Sequence, residues 1–225
     1  RRPPRSTPLY SSAASDVYKR QVTDSVTIDS NKFLGYQGGS SPNHSTLYGS
    51  GADAAGLKIK NNSFNNSGNY AIHLNSNNSS SPPTGLEISG NTFTDTNQGI
   101  YVYYFDAVTI RNNTITGSYF SDKGIWLYYC DGANVIEDNR IHAPGLDKGI
   151  YLSYCQATSG NEATIANNLV NVEDQGIYFD YSNQYQNVYY NTVMVRDSYA
   201  LYTRSGNSNN ISKNNIFYTC LLYTS

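Results

Sequence analysis

Between residues 22 and 219 the chain alternates apolar and polar positions in short bursts, and two patterns take turns. The first is apolar-x-Ile-x-x-Asn-x-apolar: "VTIDSNKF" (26–33), "LKIKNNSF" (57–64), "LEISGNTF" (86–93) and "VTIRNNTI" (108–115) fit it fully. "NVIEDNRI" (134–141), "ATIANNLV" (163–170), "QNVYYNTV" (186–193) and "NNISKNNI" (209–216) fit with a weaker first position. The sixth position is then Asn31, Asn62, Asn91, Asn113, Asn139, Asn168, Asn191 and Asn214, at intervals of 22 to 31 residues. The second pattern, small-Ile-aromatic-aliphatic, falls between copies of the first: "AIHL" (71–74), "GIYV" (99–102), "GIWL" (124–127), "GIYL" (149–152), "GIYF" (176–179) and "ALYT" (200–203). Both have the two-residue period of strands. Fixed strands with variable loops at such a spacing predict a stacked solenoid, since no unit buries a face alone.

Stacking places Ile28, Ile59, Ile88, Ile110, Ile136, Ile165, Val188 and Ile211 in one interior column with rungs ~4.8 Å apart. Two reasons for the recurring Asn follow from its chemistry. It tolerates a left-handed corner, and amides in register hydrogen-bond along a ladder. Cys130 and Cys155, each six residues after a repeat glycine, fall on adjacent rungs as buried thiols or a disulfide.

These residues resemble the right-handed parallel β-helix of the pectate-lyase-like superfamily, with its short "GIxL…IxxNxI" coil repeat. The resemblance implies an all-β, single-stranded solenoid of about eight coils and an exported protein, extracellular, surface-bound or periplasmic. It also implies that the outward face of one sheet holds the substrate. If the Ile positions point inward, His73, Tyr101, Trp126, Tyr151, Tyr178 and Tyr202 form an outward column. Asn75, Tyr103, Tyr128, Ser153, Asp180 and Arg204 form a second. Such aromatics predict polysaccharide binding; ordinary strand pairing is the alternative. In the resembled lyases Ca²⁺ neutralises a uronate carboxylate and a Lys or Arg removes the adjacent proton. Asp122, Asp147 and Asp174 on successive rungs are then the candidate Ca²⁺ ligands, with Arg204, Lys148 and Asp180 the candidate catalytic residues. Turn chemistry explains the two "DKG" segments equally, and carboxylates on alternate rungs have the spacing of a glycoside hydrolase. Two further classes stay open: a non-catalytic stalk or adhesin, and an accessory β-helix of copper-enzyme maturation, for which no metal-ligand pattern is present.

Composition narrows this picture. There are 22 Tyr, one Trp and one Met, only 14% charged residues and a formal net charge of −2, so no basic footprint points to nucleic acid. No apolar run is long enough to span a membrane. His44, His73 and His142 do not share a repeat phase, and no zinc spacing appears. The segments 36–56 and 75–85 read as loops that wall a groove or are tolerated insertions. Residues 1–21 and 220–225 break the repeat; "DVYKRQ" (16–21) and "CLLYTS" (220–225) match translated sequencing adapter and are set apart from the 22–219 domain. That domain is expected to be monomeric within its full-length protein. Taken alone, its open coil ends predict poor solubility.

Overall fold

The computed structural model describes residues 26–36, 45–117 and 122–220. The atypical segments 1–21 and 221–225 lie outside the described residues, as does His44. Within the described residues every regular element is a strand, and every pairing between strands is parallel. Among the described residues two sheets have eight strands and the third has seven, each inner strand pairing with its equivalents one coil before and one coil after. The chain is thus an all-β parallel β-helix, wound right-handed as parallel crossovers are.

Each copy of the first pattern crosses a corner. Thr109–Arg111 lies in the first sheet and Thr114–Thr116 in the second, with Asn113 between them. The second pattern forms the third sheet, as in Lys123–Tyr128 and Lys148–Ser153. Register follows the alternation: Ile110 pairs with Ile88 and Ile136, and Ile125 with Ile100 and Ile150. These isoleucines, with Leu74, Val102, Leu127 and Leu152, are buried in one continuous core. Phe64 and Phe93 stack inside it at 5.1 Å, and the partly buried Phe33 stacks on Phe64 at 4.7 Å. Cys130 and Cys155 are free thiols in the same core. Their Sγ atoms donate to backbone carbonyls, including Val102 O at 3.5 Å and Leu127 O at 3.6 Å.

The corner amides form a ladder. Asn139 Oδ1 accepts from both Asn113 N and Asn113 Nδ2 at 3.0 Å, while Asn139 Nδ2 donates to Ile110 O at 2.9 Å and Asn168 Oδ1 at 3.0 Å. The same set recurs from Asn31 to Asn191. Of the two reasons for the asparagine, only the ladder holds. The left-handed backbone belongs to the preceding residue, as at Asn61 (φ 54°), Asn112 (54°), Asp138 (55°) and Asn167 (55°).

Two expectations are corrected. The last rung is displaced by one residue: Val188 pairs with Ser212, and Asn191 Nδ2 donates to Asn215 Oδ1 at 3.0 Å. Asn214 takes the left-handed position (φ 57°). Ser212 therefore occupies the inward column and Ile211 is 41% exposed. The segment 36–56 also contains a strand, Leu47–Ser50, which adds Tyr48 to the third sheet opposite His73.

Candidate functional site

The third sheet turns its aliphatic residues inward and its aromatic residues outward, because successive strand residues face opposite sides. Strand register aligns His73, Tyr101, Trp126, Tyr151, Tyr178 and Tyr202 on consecutive rungs. Their ring centroids follow at 4.8, 4.3, 5.6, 5.1 and 5.0 Å, with interplanar angles from 33° to 60°. The rings cover one another enough that His73 and Tyr151 are buried while Tyr101, Trp126, Tyr178 and Tyr202 are half-exposed. Tyr103 and Tyr128 form the second column, stacked at 5.1 Å and 17°.

A third column was not foreseen. Tyr104, Tyr129, Tyr154 and Tyr181 stack at 5.2, 4.7 and 5.6 Å with angles of 27°, 11° and 20°. Each lies five residues after its repeat glycine, a signal visible in "YVYYF", "WLYYC", "YLSYC" and "YFDYS". Tyr104, Tyr129 and Tyr154 have φ of 56°, 49° and 54°. A bulky residue in the left-handed region costs about 1–2 kcal/mol, while an aromatic pair returns about 0.5–1.5 kcal/mol beyond area burial. Stacking roughly offsets the strain without explaining why Asn or Gly is not used. In the second and third columns the ring faces are taken up by neighbouring rings, so edges and hydroxyls are what they offer to solvent. Burial, foremost, pushes the phenol pKa of Tyr101, Tyr103, Tyr129 and Tyr151 upward, so these hydroxyls stay protonated.

At one end of the face the structure brings together two of the three candidate catalytic residues. Asp180, buried, accepts from Tyr151 Oη at 2.5 Å, and Arg204 Nη1 lies 3.5 Å from its Oδ1. The Arg204 guanidinium sits 4.7 Å over the Tyr181 ring. Tyr181 foremost, with Asp180 contributing, raises the Arg204 pKa, opposite to what a proton-abstracting base requires. Lys148 does not join them. It begins its strand, in register with Lys123 and Gln175, whereas Arg204 follows the end of another, so the two stand at opposite edges of the sheet.

Asp122, Asp147 and Asp174 do stack, since Lys148 N donates to Asp122 O at 2.8 Å and Gln175 N to Asp147 O at 2.7 Å. Their carboxylates are engaged separately: Asp122 Oδ2 meets Lys123 Nζ at 2.6 Å and Asp174 Oδ2 accepts from Gln175 Nε2 at 2.8 Å. Burial, then the flanking Asp122 and Asp174, raise the Asp147 pKa against the pull of Lys148. Among the described residues no three His, Cys, Asp or Glu side chains are grouped to hold a metal ion, so the expected Ca²⁺ site finds no donor set. A separate depression of about 600 Å³, lined by Glu162, Tyr185, Asn187, Tyr189, Asn209 and Asn210, lies on the outward side of the first sheet, away from the aromatic columns.

Compared with known families, the chain matches the one described as "Periplasmic copper-binding protein (NosD)" over residues 21–158 and again over 81–221. Two overlapping matches are what a self-similar repeat produces when it aligns in different coil registers. No curated protein and no solved structure matches the chain significantly. The donor set of the described residues does not fit copper. Copper(I) prefers thiolate and thioether ligands, but burial pushes the Cys130 thiol up to about 12 and the Cys155 thiol well up. The one methionine, Met194, lies at the surface, and among the described residues no group of potential ligands gathers around Cys130, Cys155, the exposed Cys220, His73 or His142. The two matches together run nearly the length of the sequence and the solenoid agrees with them, so the chain belongs to the NosD family of parallel β-helix proteins.

Proposed function

We propose that this is an exported β-helix that binds an extended polysaccharide along the outward face of its third sheet. The periplasmic description of its family supports export. The binding reading is carried by one observation: tyrosine occupies a strained left-handed position on three successive rungs and extends an aromatic face already two columns wide. A simple spacer needs only the inward columns and the amide ladder, and Asn or Gly would hold that corner at less cost. A row of protonated phenols on a flat, repeating track suits a linear polymer of hydroxylated units. Affinity gel electrophoresis with embedded polysaccharides tests this. Retardation by at least one polymer, lost in Trp126→Ala/Tyr128→Ala, supports the reading, and free migration in every gel refutes it.

Cleavage of the bound chain, by lyase or hydrolase chemistry, is the second reading, favoured by the Tyr151–Asp180–Arg204 contacts at one end of the track. It predicts new unsaturated or reducing ends that disappear in Arg204→Ala. The upward shift of Arg204 argues for holding a ligand over taking its proton.

A further inference from the structure

We infer that the aromatic face selects neutral glycans and rejects uronate-bearing ones; the inference rests on the polysaccharide reading above and specifies its substrate class. Charge along the borders of the face is what carries it. Asp122, Asp147 and Asp174 stack along the leading edge, one per rung. Beyond the tyrosine columns, Asp106 and Asp131 are chained through Asp131 N, which donates to Asp106 Oδ1 at 3.1 Å, and Asp180 lies at the strand end. Against these six carboxylates stand Lys123, Lys148 and Arg204, half as many.

Two of the three cations are also already used. Lys123 Nζ is 2.6 Å from Asp122 and 4.3 Å over the Trp126 ring. Arg204 is shared between Asp180 and Tyr181. Lys148 makes no ion pair, and its pull on the Asp147 carboxylate is outweighed by burial and by the flanking Asp122 and Asp174. A polymer with a carboxylate on each sugar would align a second column of negative charge with the existing ones at rung spacing. It would find one unpaired cation, Lys148, to offset the repulsion of the whole acidic border, and like charges facing across an interface suppress a partner. A neutral glycan meets no such penalty. Its hydroxyls face the phenols of Tyr101 and Tyr103, whose raised pKa keeps them uncharged and able both to donate and to accept.

Titration calorimetry of the folded protein with hexasaccharides separates the cases: neutral β-linked glucose, xylose and mannose oligomers against oligogalacturonate and oligomannuronate. The inference predicts neutral ligands bound at least tenfold more tightly than uronates at low salt, the gap shrinking as salt is raised. Replacing the leading-edge column, Asp122→Asn/Asp147→Asn/Asp174→Asn, narrows the gap by strengthening uronate binding. Uronates bound as tightly as neutral oligomers, or more tightly, overturn the inference and leave polysaccharide binding standing. No heat and no retention with any glycan overturn both.

Discussion

At the scale of single residues, the corner asparagines do more than any other side chain to make one coil recognise the next. Asn139 satisfies two donors of Asn113 and one carbonyl of Ile110 with essentially no exposure to water. Each buried polar group left unmade costs about 1–3 kcal/mol. Asn139→Leu is therefore expected to lose about 3 kcal/mol or more in urea unfolding, with circular dichroism as the readout; an unchanged midpoint would remove the ladder from the account of stability. His73 makes a second prediction. It is buried among Tyr48, Tyr70 and Tyr101 with no hydrogen-bond partner for Nδ1, and burial lowers its pKa to about 4 from a usual 6.5. The unfolded chain takes up this proton before the folded one does. The stability His73 contributes is thus complete above pH 6.5 and declines as pH falls from 6.5 to 4. His73→Phe should flatten that decline in urea midpoints between pH 7.5 and 5, and an identical slope would contradict it. The recurring Asn was legible in the chain because its chemistry has few substitutes. The exact rung at Asn214–Asn215 was not, because two adjacent asparagines satisfy the pattern equally until hydrogen bonds choose between them.

At the scale of strands, the third sheet is set by close approach. A Cβ on Gly124 would stand 2.7 Å from the carbonyl oxygen of Gly149 and 3.1 Å from Leu146 Cδ2. The backbone oxygen cannot yield without disturbing the ladder above it. Gly124→Ala is expected to destabilise by about 1–3 kcal/mol through this overpacking, seen as a lower thermal midpoint; a rise would mean the sheets pack more loosely than described. Two elements escaped the sequence pattern for physical reasons. Leu47–Ser50 lacks the small residue and isoleucine of the repeat, and among the described residues it has one neighbour in its sheet, Tyr70–Asn75. The third tyrosine column escaped because its residues follow the strands, where alternation no longer sorts inside from outside. Their fixed distance from the repeat glycine was the available signal.

At the scale of the whole molecule, the inward columns and the amide ladder join the stacked coils, and function is left to what stands on their surface. Fold and outward face were legible because the two-residue period survives stacking unchanged. The gathering of charge was not, since Arg204 and Asp180 meet across two coils while Lys148, close in pattern, stands at the far edge. Nor do the described side chains supply the metal donors that the family description leads one to look for. The most direct measurement uses the chain's single tryptophan, Trp126, at the middle of the face between Tyr101 and Tyr151. Titrating the folded protein with soluble neutral polysaccharide should give a saturable change in Trp126 fluorescence that Tyr101→Ala/Tyr128→Ala weakens. Emission that stays constant with every glycan, at concentrations well above millimolar in sugar units, would contradict a polysaccharide-binding face.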